Sequence, residues 1–307
     1  MKTLVIGSTN IDISVHVSAF PKVGETLIGR DLTYKYGGKG ANQACACVKL
    51  GTETIFLTCV GNDAKGHEVV DHMASCGIDV SHVKVSDAQP TGTALICIDD
   101  DGHNKIVVVQ GANLDCSSDY LLENEASFRE CDSILLQLEI PYEAVETAIR
   151  LGNKYGKKVV LNPAPAGTSL SPDCLQMIDY LTPNETEAAV LAGIDSADPA
   201  EAAEKLLDMG IKNVLITLGE KGAVLFRKGA DPVQVPAFPV KATDTVAAGD
   251  CFNGAFLCAL GRGMSEKDAV RFACAASAIA VTREGAQESI PSLEEVNAFL
   301  DARGREE

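Results

Sequence analysis

The sequence has few basic residues and no cluster of them. Its 307 residues include 26 Lys and Arg against 43 Asp and Glu, which gives a formal net charge of −17 at pH 7. A nucleic-acid surface needs clustered lysine and arginine to bind the phosphate backbone, so this distribution excludes one. If such an acidic chain binds a polyanionic ligand, it must use local features such as helix N-termini, backbone N–H groups, a few cations and bound Mg²⁺.

Long hydrophobic runs are also absent. Apolar residues make up 46% of the chain, enough for a large core, but the longest runs are well short of the ~20 residues that cross a bilayer. Met1 and Lys2 are followed at once by a strand-like stretch, which predicts that there is no signal peptide. Because no linker, repeat or low-complexity tract is evident, we expect one cytoplasmic domain over residues 1–307 with no membrane partner.

Several common motifs are missing. The segment at residues 38–40, Gly-Lys-Gly, lacks the upstream glycine and the following Ser or Thr of a Walker A element. There is no GxGxxG after the first strand and no GxSxG, and the five histidines have no metal-ligand spacing. These absences argue against a P-loop NTPase, a dehydrogenase and a serine hydrolase. The eleven cysteines are odd in number and several lie in helical apolar patterns, so we expect reduced, buried side chains.

Short β-branched segments alternate with segments of helical periodicity along most of the chain. Residues 134–136 and 214–216 are apolar on both faces, as strands covered by helices on each side must be. The pattern predicts an α/β fold with three αβα layers and a mostly parallel central sheet. Residues 13–17 alternate with period two, and residues 93–98 and 105–109 flank a turn-rich segment, which predicts a hairpin. We assign these segments, with residues 26–36, to a small separate sheet.

The segment DTVAAGDCFNG at residues 244–254 places a carboxylate, Asp250, at the start of a helix. The small residues Ala247, Ala248 and Gly249 leave this turn open, so unpaired N–H groups and the positive helix end can bind phosphate. A carboxylate beside that point suits a general base for phosphoryl transfer. The alternative is an ordinary acidic residue in a first helical turn, which stabilises a helix by a few tenths to ~1 kcal/mol.

Further segments occur in a particular order along the chain. They are GSTNID (7–12), YGGKGAN (36–42), QLE (137–139), NPAP (162–165), TPNETE (182–187), TLGEKG (217–222) and AVTREGAQES (280–289). Together with residues 244–254, they resemble the ribokinase group of the phosphofructokinase-B family of carbohydrate kinases over nearly the whole length. The resemblance implies a ribokinase-like fold. It also implies that the small sheet, at about residues 13–17, 26–36 and 91–109, forms a lid over a sugar and often a dimer contact.

A sugar site is expected after the first strand, because open α/β sheets bind ligands at the carboxyl ends of their strands. Carboxylate and amide groups suit the vicinal hydroxyls of a pentose. The resemblance implies that the sugar is held by Asn10, Asp12, Gly38, Lys39, Gly40, Asn42, Glu139 and Asp250. The alternatives are a cap or turn for Asn10 and Asp12, and an exposed strand-end charge for Glu139.

For the nucleotide, the two glycines of TLGEKG permit close backbone approach, although a plain strand-to-strand turn explains them almost as well. The resemblance implies that ATP contacts Asn184, Thr217, Leu218, Gly219, Glu220, Lys221, Gly222, Gly249, Asp250 and Cys274. Glu187, one helical turn after Asn184, can act on Mg²⁺ through a bound water. The same pair also has the pattern of a capping box, and both roles can hold.

The resemblance further implies a monovalent-cation site beside the anion-binding turn. The matching positions are Asp244, Val246, Ala280, Arg283, Gly285 and Ser289, most of them through backbone carbonyls. Oxygen donors around one carboxylate suit a weakly hydrated K⁺.

We therefore expect ATP-dependent phosphorylation of D-ribose at its 5-hydroxyl, with Asp250 as base, backbone N–H groups of residues 247–250 as anion hole, and a homodimer formed through the lid. The alternatives are a deoxyribokinase, an adenosine-type nucleoside kinase, which Lys39 and Asn42 disfavour, and a catalytically silent sugar-binding regulator.

Overall fold

The computed structural model describes residues 1–167, 170–196 and 198–304, so residues 168, 169, 197 and 305–307 of the expected 1–307 unit lie outside the described residues. The strands are β1 (Lys2–Ile6), β2 (Asn10–His16), β3 (Arg30–Gly37), β4 (Glu53–Leu57), β5 (Cys59–Gly61), β6 (Lys84–Ser86), β7 (Gly92–Ile98), β8 (Asn104–Val109), β9 (Ser133–Leu136), β10 (Lys158–Leu161), β11 (Tyr180–Leu181), β12 (Asn213–Thr217), β13 (Ala223–Arg227) and β14 (Val233–Val235).

The helices are α1 (Lys39–Lys49), α2 (Ala64–Ser75), α3 (Ser118–Glu123), α4 (Glu125–Glu130), α5 (Tyr142–Lys154), α6 (Pro172–Leu175), α7 (Glu185–Ala192), α8 (Pro199–Asp208), α9 (Ala248–Gly261), α10 (Glu266–Ala280) and α11 (Leu293–Arg303). Short 3₁₀ turns lie at Gly111–Asp115 and Gly219–Lys221. Among the described residues, none of these helices has both the length and the apolar composition that a bilayer crossing requires.

The central sheet has the strand order β14-β13-β12-β11-β10-β9-β1-β4. Neighbouring strands from β12 to β4 are parallel, whereas β13 runs antiparallel to both β12 and β14. Parallel neighbours need crossover connections, and here these carry the helices onto both faces of the sheet. The expected mostly parallel α/β sheet is confirmed.

Alternate side chains of each central strand enter different hydrophobic layers. Along β1, Val5 packs with residues of α1, α9 and α10, whereas Leu4 and Ile6 pack with residues of α3 to α8. Burial on both faces explains why these strands read as continuous apolar runs. The three-layer αβα expectation is therefore confirmed. No disulfide forms among the eleven cysteines, all of which lie within the described residues and all of which are buried except Cys76 and Cys97.

A second sheet of order β3-β2-β7-β8 lies apart from the first. Its β7 and β8 form the expected hairpin, with Ile98 paired to Asn104. Strand β2 begins at Asn10 rather than at residue 13, and β3 begins at Arg30, so residues 26–29 lie outside any strand. The chain thus passes from the end of β1 through residues 7–9 directly into this sheet, and it returns through Gly37 into α1.

The quoted segments follow parallel strands at one edge of the central sheet. Because the carboxyl ends of parallel strands meet at the same edge, ligand sites form there. Strands β1, β9, β10, β11 and β12 lead into residues 7–12, 137–139, 162–165, 182–187 and 217–222, respectively.

Candidate active site

Helix α9 begins in an open turn. Ala247 at its N-cap adopts a left-handed conformation, with φ 58° and ψ 9°, and no side chain caps the helix. A Cβ added at Gly249 would meet no atom within 4 Å, so space is open beside it. The backbone N–H groups of Gly249 and Asp250 have no acceptor among the described residues, whereas that of Ala248 bonds the Thr245 carbonyl at 3.3 Å. Free N–H groups at a positive helix end are suited to bind an anion.

Asp250 lies buried at this helix start, with only 6% of its surface exposed. Asn42 Nδ2 donates to its Oδ2 at 2.9 Å, and Gln43 Nε2 donates to its Oδ1 at 3.0 Å. Burial raises the pKa of Asp250, while the Lys39 charge and the two amide hydrogen bonds oppose the rise and the Glu139 charge adds to it. A carboxylate held in one orientation with a raised pKa suits a general base.

The amide groups that hold Asp250 are themselves held. Gln137 Nε2 donates to Gln43 Oε1 at 2.6 Å, which orients the Gln43 amide so that its nitrogen faces Asp250. Gln43 Nε2 also donates to Asn162 Oδ1 at 3.1 Å. Asn162 in turn donates to the Thr182 carbonyl at 3.0 Å. Strand ends β9, β10 and β11 thus supply a buried polar network behind the carboxylate.

The expected sugar residues converge next to this network. Glu139 Oε2 accepts hydrogen bonds from Ser8 Oγ at 2.5 Å and from the Lys39 backbone N–H at 3.1 Å. Asn10 Oδ1 accepts one from Asn113 Nδ2 at 2.8 Å. The loop after β1, the end of β9 and the start of α1 are thereby fixed to one another.

Glycines allow the backbone to approach this closely. Gly38 precedes α1 with φ 88°, in the left-handed region that favours glycine. At Gly40 a Cβ would lie 2.6 Å from the Gly7 carbonyl carbon, and at Gly37 one would lie 2.2 Å from Asp12 Oδ2. Larger residues at these positions would push the carboxylate of Asp12 or the first strand away from α1.

Carboxylates outnumber cations in this crevice. Burial raises the pKa of Asp12 to about 6, and the charges of Glu139, Asp250 and Glu288 add to the rise. Burial acts to lower the pKa of Lys39, but Asp250 and two glutamates more than offset it, so the net shift is upward and Lys39 stays charged. The crevice therefore contains both hydrogen-bond acceptors for hydroxyl groups and one cation for a phosphate.

A cavity of about 800 Å³ opens on the other side of the α9 turn. Its walls include the turn between β12 and β13, the segment 237–242, the start of α9 and one face of α10. Of the residues expected to contact ATP, the walls include Thr217, Gly219, Glu220, Lys221, Gly222, Gly249 and Cys274. Burial raises the pKa of the Cys274 thiol to about 12, so it is neutral there. Leu218 is instead buried behind the turn.

Asn184 and Glu187 form the capping box of α7. Asn184 Oδ1 accepts from the Glu187 N–H at 2.8 Å, and Glu187 Oε2 accepts from the Asn184 N–H at 2.9 Å. Asn184 is not among the cavity walls, although it pairs with Thr217 in an isolated bridge. Burial raises the pKa of Glu187, and the charges of Lys39 and Asp250 both act on it. Glu187 is therefore close enough to Lys39 and Asp250 to interact with their charges.

The residues expected around a monovalent cation are only partly brought together. Asp244 Oδ1 accepts from the Val246 N–H at 2.9 Å, and Oδ2 accepts from the Gly285 N–H at 3.0 Å. The remaining three bond elsewhere: the Ala280 carbonyl accepts from Arg283 N, the Arg283 guanidinium pairs with Glu295, and Ser289 Oγ donates to the Ala286 carbonyl. Asp244 links the loop before α9 to the loop after α10.

Several functional-looking residues were not identified from the sequence. The network behind Asp250 consists of Gln43, Gln137 and Asn162. On the sugar side, Asn113 donates a hydrogen bond to Asn10, and the charge of Glu288 acts to raise the pKa of Asp12. Gln137 and Asn162 lie in quoted segments but had been given no role. The signal for them is an uncharged amide directly after an apolar strand, since such a group is buried only with partners.

Comparison with known proteins supports a common family. The profile of the pfkB family carbohydrate kinases matches residues 2–293. A ribokinase of Haemophilus influenzae is 45% identical over 304 residues, covering 98% of this chain and 99% of that protein. A deoxyribokinase of Salmonella typhi is 37% identical over 303 residues, covering 98% and 99%. Among solved structures, Arabidopsis thaliana ribokinase complexed with ribose and ATP is similar with a TM-score of 0.91 and 34% identity, covering 97% of this chain and 98% of that one.

Proposed function

This chain belongs to the pfkB family of carbohydrate kinases, and we propose that it transfers the γ-phosphoryl group of ATP to the 5-hydroxyl of D-ribose, giving D-ribose 5-phosphate and ADP. One observation carries the proposal. Asp250 lies at the open N-terminus of α9, with the polar crevice of β2 and α1 on one side and the cavity of about 800 Å³ on the other. A base between an acceptor site and a nucleotide-sized cavity is what phosphoryl transfer to an alcohol needs.

Asp250 accepts the proton of the attacking hydroxyl. Its raised pKa brings the carboxylate closer in proton affinity to the hydroxyl that it activates. Backbone N–H groups at the start of α9 bind the oxygens of the transferring phosphoryl group. They belong to Ala247, Ala248, Gly249 and Asp250, and those of Gly249 and Asp250 have no acceptor within the described chain. Lys39, which stays charged, neutralises part of the same charge.

The sugar binds where the crevice offers hydroxyl acceptors. Asn10, Asp12 and Glu139 take the ring hydroxyls, Asn42 contributes its amide, and the backbone of residues 38–40 closes that side. Three of the acceptors lie close together, since the charges of Glu139 and Asp250 both act to raise the pKa of Asp12. The second sheet acts as a lid over the sugar. It consists of β2, β3, β7 and β8.

ATP occupies the cavity beside α9, with its base between the β12–β13 turn and α10 near Cys274. Leu218 shapes the turn from behind, and Asn184 lies toward the phosphates. The residues present fit Mg²⁺, because the buried Glu187 and Asp250 carboxylates repel each other, which raises the pKa of Glu187, and a cation would relieve that repulsion. Mg²⁺ on the ATP phosphates would neutralise charge at the transferring group, and Glu187 would hold it through water.

A potassium ion is proposed beside the same turn, near Asp244. The proposed donors are the Asp244 carboxylate and backbone carbonyls of two segments that Asp244 ties together by hydrogen bonds. Oxygen donors of this kind suit a weakly hydrated cation. One segment precedes α9 and contains Val246, and the other runs from the end of α10 and contains Ala280, Arg283, Gly285 and Ser289. The ion would order residues 247–250 and would not contact the substrate.

A panel of sugars with coupled detection of ADP release tests the assignment. D-ribose should give the highest kcat/KM, and no ADP should form without a sugar. The relative named deoxyribokinase makes 2-deoxy-D-ribose the second candidate, and a higher kcat/KM for it would replace ribose. A higher value for adenosine would indicate a nucleoside kinase. Sugar binding without turnover would indicate a silent regulator and would contradict the role of Asp250.

We also propose a homodimer formed through the second sheet. Its edge strand β8 is exposed along its length, and apolar side chains Ile106, Val107, Val108 and Val109 are about half exposed. A long apolar edge strand is prone to pair with another strand, and a second copy of the sheet would cover it. Sedimentation equilibrium should give a dimer, which Val107→Lys should weaken.

The abundance of free thiols supports a cytoplasmic location. Eleven unpaired cysteines persist most readily in a reducing compartment. Fractionation of cells that express the tagged protein tests this location.

A further inference from the structure

A buried glutamine holds the Asn42 amide in the orientation that Asp250 needs. Gln287 lies in the loop after α10 and is only 3% exposed. Its Nε2 donates to Asn42 Oδ1 at 3.3 Å, and Asn42 Nδ2 donates to Asp250 Oδ2 at 2.9 Å. Lys49 of α1 donates from Nζ to the Gln287 backbone carbonyl at 2.6 Å. Helix α1 therefore holds Gln287 both at its backbone and at its side chain.

The oxygen of the Gln287 amide contacts α2. Gln287 Oε1 lies 3.0 Å from Nε2 of His72, a half-buried residue of that helix. The His72 ring stacks on Tyr36 of β3, with centroids 3.8 Å apart and an interplanar angle of 10°. The stack restricts the ring to one plane, in which Nε2 meets the Gln287 amide. His72 thus contacts the second sheet on one side and, through two amides, the proposed base on the other.

The direction of these hydrogen bonds is fixed at Asp250. An ionised carboxylate only accepts, so Asn42 must turn its amide nitrogen toward Asp250 and its oxygen toward Gln287. Gln287 then turns its own nitrogen toward Asn42 and its oxygen toward His72. An amide oxygen also only accepts, so the His72 ring must carry a proton on Nε2. The neutral Nε2–H tautomer and the ring cation both meet this requirement, whereas the neutral Nδ1–H tautomer does not.

The opposite arrangement would place an acceptor against the carboxylate. If Nε2 of His72 carried no proton, it would attract the Gln287 nitrogen, and the Gln287 oxygen would turn toward Asn42. The Asn42 nitrogen would follow that oxygen, so the Asn42 oxygen would face Asp250. Losing a donor and gaining an acceptor both raise the pKa of a carboxylate. The His72 proton therefore determines which atom Asn42 presents to the base.

We propose that His72 is a positioning residue for the general base, acting on Asp250 through Gln287 and Asn42. The role rests on the proposed function, in which Asp250 accepts the proton of the sugar hydroxyl. His72 does not contact the substrate and transfers no proton in the reaction. Its effect is to keep one of the two amide donors of Asp250 turned toward the carboxylate.

Two substitutions of His72 separate the hydrogen bond from the ring stack. His72→Phe keeps a ring against Tyr36 and removes the Nε2 donor. His72→Gln loses the ring but places an amide nitrogen near the position of Nε2, so it can donate to Gln287. We expect kcat for ribose to fall about three- to tenfold in His72→Phe, the value of one neutral hydrogen bond, and to recover in His72→Gln. His67→Phe, at an exposed position of the same helix, is the matched control and should keep the unsubstituted kcat.

The pH profile distinguishes control of the base from loss of packing. In His72→Phe the acid limb of the kcat profile should move to higher pH, and in His72→Gln it should return. Asn42→Ala should move the limb in the same direction. Adding His72→Phe to Asn42→Ala should then change neither kcat nor the limb further, because His72 acts through Asn42.

The ionisable groups around these side chains stay in place in the His72 variants. The charges of Lys39 and Glu139 act on Asp250, and Lys49 holds the Gln287 backbone. The sulfur of Cys76 lies 3.7 Å from His72 Nε2, so the thiol is the other group that loses a contact in His72→Phe. Cys76→Ala should therefore leave kcat and the acid limb unchanged. If it reproduced the effects of His72→Phe, the connection through Gln287 would be wrong.

The position of the ring proton is measured by ¹⁵N NMR of protein labelled at its histidines, with His72 identified by the signals lost in His72→Phe. We expect the neutral ring to carry its proton on Nε2. A proton on Nδ1 would overturn the proposal, as would an unshifted acid limb in His72→Phe or effects of His72→Phe and Asn42→Ala that add in full. The ribose assignment fails separately: if the protein phosphorylates another sugar instead, the same variants assayed with that sugar decide the role of His72 alone.

Discussion

Gln43 donates from Nε2 to Oδ1 of Asp250 over 3.0 Å, at the point where α1 meets the first turn of α9. The bond joins two segments 207 positions apart in sequence. Each oxygen of the Asp250 carboxylate thus accepts from one amide group, because Asn42 donates to Oδ2. The base is therefore oriented by two consecutive residues of one helix, and the same donors limit how far burial raises its pKa.

Replacing Asp250 by Asn should abolish most of the turnover without unfolding the protein. The substitution is nearly isosteric and removes a buried charge, but its new amide nitrogen faces an amide donor that loses its acceptor. The free energy of unfolding should therefore fall by about 1–3 kcal/mol. Loss of a positioned general base lowers kcat by ~10²-fold or more. Ribose binding, measured by calorimetry, should persist. A kcat near that of the unsubstituted protein would contradict the assignment of Asp250.

Gln43→Met should slow the reaction and move its pH dependence. Removing a donor to the ionised carboxylate raises the pKa of Asp250 further, and the base works only when deprotonated. The acid limb of the kcat profile should therefore move to higher pH. A hydrogen bond to a charged group is worth about 1.5–3 kcal/mol, so kcat should fall by about tenfold or more.

The matched control for this change is Gln234→Met, which alters an exposed glutamine in β14. Its pH profile should coincide with that of the unsubstituted protein. If Gln43→Met lowers kcat equally at every pH, its role is structural packing and not control of the base.

Asp12→Asn should weaken ribose binding and raise the stability of the folded protein at neutral pH. Because burial raises the folded-state pKa of Asp12 from 3.8 to about 6, its charge destabilises the folded protein above pH 6, and this cost disappears below 3.8. The Asn variant should therefore have a higher Tm at pH 7.5 and an unchanged Tm near pH 3.5. Ribose affinity at pH 7.5 should fall by about 1.5–3 kcal/mol, the value of hydrogen bonds to a charged group.

For the unsubstituted protein, the KM for ribose should rise as pH falls through about 6, where Asp12 becomes protonated. ATP affinity should change less than ribose affinity in Asp12→Asn. Unchanged ribose binding in calorimetry would place the sugar elsewhere.

The fold was predictable where the hydrophobic pattern was unambiguous. The apolar segments 134–136 and 214–216 were expected to form buried strands and lie within β9 and β12, because short fully apolar segments leave few alternatives. No helix or strand was predicted at α3, α4, α11, β13 or β14. The first three are short or weakly amphipathic surface helices. Strand β13 runs antiparallel to β12, and the sequence did not indicate which direction the chain takes after the turn between them.

The site was predictable where a residue's chemistry was local. The start of α9, with Asp250 in its first turn, follows from small residues before an apolar helical segment. Gln43, Gln137 and Asn162 could not be assigned, because their function depends on contacts between strand ends that lie far apart in sequence.

Potassium should activate the protein through a site at Asp244. Asp244 bonds the N–H groups of Val246 and Gly285, so it connects the chain before the α9 turn with the loop after α10. If a cation also binds there, the rate should be much higher in KCl than in NaCl at matched ionic strength, and Asp244→Ala should remove that difference. The reason is that the ion keeps the N–H groups of residues 247–250 in position for the phosphoryl charge, and one such set of donors contributes ~3 kcal/mol.

A purely structural Asp244 makes a different prediction. Its two backbone hydrogen bonds would then order the loops without an ion, and Asp244→Ala would slow the reaction by the same factor in both salts. Weak screening alone cannot distinguish K⁺ from Na⁺ at equal ionic strength. Asp231→Ala, at an exposed position outside the site, controls for the loss of a surface charge. Equal rates in the two salts for the unsubstituted protein would remove the ion from the mechanism, while the roles of Asp250 and the α9 turn would stand, because neither depends on the cation.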